Sequence, residues 1–140
     1  MRFWDSSAIV PLLVEQRASA RAAAWLSEDG AVVLWTLSPV EVVSALRRLV
    51  REDAIPEDVA RRAETRLDDL ISVSHQVVDV QAVKGLATRL LRAHALRAFD
   101  ALQLGAALHW AEAPPRGRTV HTFDGRLAQA ARREGFAVPD

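Results

Sequence analysis

The sequence predicts an α/β fold in which helices cover both faces of a parallel sheet. Five short apolar runs of strand length alternate with amphipathic stretches of helical period. Parallel neighbours need long crossover connections, which helices commonly supply. The size agrees: 140 residues, 50% hydrophobic and 26% charged, suit one continuous core, so residues 1–140 are expected to form a single domain.

The elements follow in order. Arg2 to Asp5 reads as the first strand, passing into a helical turn at Ser6, Ser7 and Ala8, with apolar Ile9 to Val14 behind it. Ala18 to Glu28 places Ala22, Trp25 and Leu26 at helical spacing and stops at Asp29-Gly30, a helix-ending pair. Ala31 to Leu37 is the second strand. In Pro39 to Glu52, residues Val42, Ala45, Leu46 and Leu49 recur at i, i+3, i+4 and i+7, with Ser38 the expected N-cap. Pro56 opens a charged helix through Val59, Ala63, Leu67 and Leu70, and Ser72 to Val78 follows as the third strand. Val83, Leu86, Ala87 and Leu90 mark one further helix, and Ala101, Leu104, Gly105 and Leu108 the next, before a loop at Pro114-Pro115-Arg116-Gly117. Thr119 to Phe123 is the fourth strand, Leu127, Ala130 and Ala131 lie on a last helix, and Phe136 to Val138 is the expected fifth strand.

Composition excludes several classes. Eighteen basic and eighteen acidic side chains cancel, so a nucleic-acid partner must meet a local basic patch rather than a cationic body. The lack of cysteine removes disulfides, thiolate zinc sites and cysteine nucleophiles together. Apolar runs fall far short of the roughly 20 residues of a membrane span, and a soluble, cytoplasmic protein without a membrane partner is expected.

In open α/β sheets ligands bind beyond the carboxyl ends of the strands. Asp5 ends the first strand, Glu41 follows the second, Asp124 follows the fourth, and Asp100 opens the helix containing Leu104. Local explanations exist: Asp100 and Asp124 as N-caps, Ser38 with Glu41 as a capping box. Asp5 has the weakest such explanation, since it closes an apolar strand directly. If the first and fourth strands are neighbours, their acids meet. Two carboxylates about 4 Å apart repel by roughly 4 kcal/mol at an effective dielectric of 20, so a cluster takes up protons or holds a cation. Without cysteine or a suitably spaced histidine pair, Mg²⁺ or Mn²⁺ fits better than zinc.

Four segments then carry a resemblance: Phe3-Trp4-Asp5-Ser6-Ser7-Ala8, Glu41 within Ser38 to Leu46, Leu96 to Leu104 around Asp100, and Thr122-Phe123-Asp124-Gly125-Arg126-Leu127. Taken in order, they resemble the signatures of PIN-domain ribonucleases, particularly VapC-type toxins of type II toxin–antitoxin systems. The resemblance spans essentially the whole chain. It implies a three-layer α/β/α sandwich with a central parallel sheet in strand order 3-2-1-4-5. By motif it assigns Asp5, Glu41, Asp100 and Asp124 as the catalytic, metal-holding acids, and Ser6 and Thr122 as polar neighbours that orient an acid or a water. Pro11 departs from the pattern, since many relatives carry a lysine there. The implied activity is Mg²⁺-dependent (or Mn²⁺-dependent) endonucleolytic hydrolysis of RNA; the implied partners are a small cognate antitoxin and a second copy of the chain in a homodimer.

RNA must approach these acids despite its own charge, so nearby arginines matter. Arg97 and Arg126 are the expected substrate contacts. Arg47, Arg48 and Arg51, with Arg61, Arg62 and Arg66, are candidates to extend a basic track, whereas Arg116 and Arg118 are expected at the opposite edge. His75, His94, His109 and His121 lack metal spacing and are assigned no catalysis; Trp4, Trp25, Trp35 and Trp110 are expected in the core. Two other readings stay open: a PIN-type nuclease of RNA processing without an antitoxin, and a noncatalytic protein-binding module that keeps the acids as caps. A phosphoacceptor receiver fits poorly, because Lys84, the only lysine, lies on a helix rather than at the end of a late strand.

Overall fold

Four of the five apolar runs contain strands, and these pair in parallel. The computed structural model, which describes residues 1–112 and 114–140, has strands β1 (Arg2–Trp4), β2 (Val32–Trp35), β3 (His75–Val77) and β4 (Val120–His121). All pairings are parallel, in the order β3-β2-β1-β4. β1 is therefore central, with β4 beside it in the arrangement the acid cluster needs.

Seven helices are described: α1 (Ser6–Leu13), α2 (Ser19–Glu28), α3 (Ser38–Arg51), α4 (Glu57–Ser72), α5 (Val80–Ala93), α6 (Ala98–Ala111) and α7 (Gly125–Arg133). Successive strand residues face opposite sides of a sheet, and this divides the core in two. Phe3, Val33, Trp35 and Val77 pack with the inner faces of α5, α6 and α7. Trp4, Val32 and Leu34 pack with α1, α2, α3 and α4. The result is the three-layer α/β/α sandwich. Helices α5 and α6 approach closely at Gly105 of α6, where an added Cβ would stand 3.1 Å from the Val83 carbonyl oxygen and 3.2 Å from the Ala87 nitrogen. Among the described residues no helix is long and apolar enough to cross a membrane.

Three local expectations fail. The third strand is not Ser72 to Val78, because α4 continues to Ser72 and the Ser74 hydroxyl bonds back to the Leu70 carbonyl at 2.6 Å, prolonging the helical turn. Phe136 to Val138 does not form a fifth strand: a single parallel bridge joins Ala137 to Thr119. Arg132 occupies the Val138 carbonyl at 3.0 Å, and Pro139 next to it has no N–H to continue a ladder. Ser38 does not cap α3; Leu37 holds that position without a side-chain bond, and the Ser38 hydroxyl turns to Gln103. The departure at Pro11 is absorbed inside α1, where its carbonyl accepts from the Ser19 hydroxyl at 2.7 Å.

The tryptophans are structural. Trp4 and Trp35 are buried, and Trp25 stacks on His121 at 4.4 Å and on Phe123 at 4.7 Å between ring centroids. Trp110 lies partly buried against the core, with the Arg118 guanidinium 4.8 Å above its ring.

Candidate active site

Parallel strands release the chain at one edge of the sheet, and there β1, β2 and β4 hand over to α1, α3 and α7. Asp5 is both the last residue before α1 and its N-cap. Its Oδ2 accepts from the Ser7 backbone N–H at 3.2 Å, from the Ser7 hydroxyl, and from Thr122 Oγ1 at 2.9 Å. Its Oδ1 has a weaker partner, Ser6 Oγ at 3.4 Å. The expectation that Asp5 had least to do as a cap is thus corrected: one oxygen caps and anchors, while the other is left nearly free. Thr122, itself buried, also accepts from the Asp124 backbone N–H at 3.0 Å.

Glu41 lies in the first turn of α3, where Oε2 accepts from Ser6 Oγ at 2.9 Å and Oε1 from Gln103 Nε2 at 3.0 Å. The expected capping box with Ser38 does not form, because both oxygens are engaged elsewhere. Asp100 does not occupy the N-cap position of α6, which belongs to Arg97; it sits in the first turn. Asp124 caps α7 as expected, accepting from the Leu127 N–H at 2.9 Å. All four acids stand at helix N-termini, where the helix dipole favours negative charge.

They line a single open cleft of about 1020 Å³, together with Ser6, Arg48, Arg97, Phe99 and Arg126. Their fields overlap. Burial raises the Asp5 carboxyl above its ordinary range, and Asp124 adds to the effect. Burial likewise raises Asp100, helped by the charges of Asp124 and Asp5. Glu41 is pushed up to about 7 by burial and by Asp5 and Asp100, against the hydrogen bonds from Ser6 and Gln103. Among the described residues no ion pair reaches any of the four. An all-oxygen set under mutual repulsion has the donor chemistry of a hard divalent cation site. Among the described residues, however, no three such groups are already drawn into one coordination sphere.

Residues 2–133 match the PIN domain family. This chain belongs to the PIN-domain family. It is 33% identical over 136 residues to Ribonuclease VapC45 and to Ribonuclease VapC49 of Mycobacterium tuberculosis, covering 97% of this chain and 92% of each relative. Among solved structures it resembles FitAcB from Neisseria gonorrhoeae (TM-score 0.68, 18% identity, 100% of this chain and 97% of that one). It also resembles VapC20 of Mycobacterium tuberculosis, described as a Sarcin-Ricin loop cleaving toxin (TM-score 0.66, 17% identity, 98% and 97%). At these identities the solved structures speak to the fold.

The PIN-domain cleft gathers Arg97 and Arg126 as expected, but the proposed basic track shrinks to Arg48. Arg47 is held by Glu57 and Glu64, each at 2.7 Å, and Arg61 and Arg62 pair with Glu57 and Asp58 on their own helix. Arg66 donates to the Leu12 and Leu13 carbonyls at 2.6 and 3.0 Å. None of the four histidines lines the cleft: His121 is buried against Trp4 and Trp25, and burial lowers it to about 4. Ser7 and Gln103 are the contributors that sequence reasoning missed. A lone polar residue one turn after Asp100, inside the otherwise apolar run Ala101 to Leu108, was the available signal for Gln103.

Proposed function

We propose that this PIN-domain protein is an endoribonuclease that hydrolyses RNA phosphodiesters, the toxin of a type II toxin–antitoxin pair, working as one domain over residues 1–140. The convergence of Asp5, Glu41, Asp100 and Asp124 on one cleft, with no ion pair to any of them among the described residues, carries the reading. The relatives named ribonucleases VapC45 and VapC49 support RNA as the substrate.

Asp5, Asp100, Glu41 and Asp124 would hold Mg²⁺, with Mn²⁺ as a substitute. Such an ion, when bound, polarises the phosphate and lowers the pKa of a bound water. The chain's own residues do the rest. Arg97 and Arg126, with Arg48, take phosphates on either side of the scissile bond and offset their repulsion from the acids. Glu41, held at both oxygens by Ser6 and Gln103, serves either as a further ligand or as the acceptor of the attacking water's proton, while that water's oxygen bonds phosphorus and the ribose oxygen leaves, taking a proton from solvent. Ser6 holds Glu41, and Thr122 anchors Asp5, so neither acid must reorient during the step.

The proposal includes a small cognate antitoxin, a homodimer and a cytoplasmic location. Leu37, Val40 and Phe99, exposed at the cleft mouth, supply apolar surface beside the acids for an antitoxin to cover. The test compares wild type with Asp5→Asn and Asp100→Asn on total cellular RNA in Mg²⁺, Mn²⁺ or chelator, alongside growth on induction. Cleavage by wild type in either metal, and by none of the proteins in chelator, is expected. Equal cleavage by all three in chelator overturns the metal-nuclease reading; cleavage without growth arrest overturns the toxin role alone.

A further inference from the structure

We infer that Gln103 is a positioning residue whose side-chain amide fixes the Glu41 carboxylate relative to Asp100, a role that rests on the nuclease reading above. Gln103 is wholly buried in α6 and does not line the cleft. Its Nε2 carries two hydrogens, and both have acceptors: Glu41 Oε1 at 3.0 Å and Ser38 Oγ at 2.9 Å. The Ser38 hydroxyl closes the clasp by donating to Gln103 Oε1 at 3.3 Å. The two acceptors lie three residues apart on one face of α3, so a single amide grips that helix at two points.

Position explains why this matters for the site. Gln103 stands one turn beyond Asp100 on the same helix, so the clasp sets α3 against α6 where each presents its acid. Ser6 from α1 holds the other Glu41 oxygen at 2.9 Å. Glu41 is thereby fixed from two elements, and a side chain that would otherwise lose freedom on binding substrate is already ordered. Core packing alone does not call for an amide here, since a buried polar group is costly unless every hydrogen finds a partner. A neutral donor is also the required chemistry: a carboxylate at 103 would face Glu41 with a like charge.

The test pairs kinetics with a signal from the metal-free protein. Gln103→Leu and Gln103→Glu are expected to lower kcat on an RNA oligonucleotide by about 10- to 100-fold, with KM within roughly twofold of wild type. By NMR of the metal-free wild-type chain, the two Gln103 side-chain amide protons should be slow to exchange; Glu41→Ala should shift one of them and Ser38→Ala the other. A folded Gln103→Leu protein with wild-type kcat overturns the inference, as do Gln103 amide resonances indifferent to Glu41→Ala. If the wild type cleaves no RNA, the nuclease reading fails, while the amide signals still decide whether Gln103 holds Glu41.

Discussion

The Thr122 hydroxyl donates to Asp5 Oδ2 at 2.9 Å and at the same time accepts from the Asp124 backbone N–H at 3.0 Å. One buried side chain thus ties the end of β1 to the chain leaving β4 and sets two of the four acids against each other. Thr122→Val keeps the shape and removes both bonds. It should cost about 1–3 kcal/mol in urea denaturation, the usual penalty for orphaning buried polar groups, and lower RNA cleavage at temperatures where the variant remains folded. Unchanged stability would show that the hydroxyl is not engaged.

Glu41 supplies a pH prediction whose sign can be worked out. Its pKa rises from 4.5 to about 7, chiefly by burial, so the folded chain holds the proton more tightly than the unfolded chain. Its contribution to stability therefore declines as pH climbs from about 4.5 to about 7. His121 runs the other way: burial, with the Arg2 charge, lowers it from 6.5 to about 4, so its contribution improves as pH climbs from about 4 to about 6.5. The two oppose each other in the wild type. Comparison with Glu41→Gln isolates the first. In chelator, the stability of Glu41→Gln relative to wild type should grow through this window and level off above it; a flat difference by denaturant titration would contradict the raised pKa.

Several features were legible because they depend on neighbours in sequence. The helix-covered parallel sheet was legible because compact apolar runs such as Ala31 to Leu37 alternate with stretches of helical period, whereas the division of Phe3 and Val33 from Trp4 and Leu34 between two cores was not, since neither run alternates apolar with polar residues. The acids could be picked out because strand ends and helix starts are marked by composition. What else escaped depended on distant partners. Ser38 has the chemistry of a cap, but Gln103, 65 residues away, offers it a buried partner instead. Phe136 to Val138 has the composition of a strand, yet Arg132 and Pro139 limit its pairing. The helical arginines looked like an RNA track until Glu57, Asp58 and Glu64 were seen to hold Arg47, Arg61 and Arg62.

Two glycines on packed helices should respond in opposite ways. Gly105→Ala drives a methyl into α5 backbone at 3.1 and 3.2 Å, atoms that cannot rotate away, and should destabilise by about 1–3 kcal/mol. Gly85→Ala places the same methyl where nothing lies within 4 Å, and should stabilise by roughly 0.5–1 kcal/mol through reduced chain freedom. Thermal unfolding of the pair decides whether the α5–α6 contact is as close as described.

Arg97→Ala and Arg126→Ala should each weaken RNA binding, measured in chelator, and reduce the slope of log affinity against log salt by about 1. Arg118→Ala is the control. Its guanidinium lies on Trp110 before β4, so RNA affinity should hold while stability falls by about 0.5–1 kcal/mol. Equal losses of RNA affinity in all three variants would place the substrate path elsewhere.

We propose that the four carboxylates from separate segments hold divalent metal in their shared cleft, and Mn²⁺ binding read from the free ion's electron paramagnetic resonance signal tests this most directly. Wild type should take up Mn²⁺ saturably, and Asp5→Asn and Asp100→Asn should each bind about 10- to 100-fold more weakly while remaining folded. Identical affinity in all three proteins, or no saturable uptake by wild type, would contradict the account.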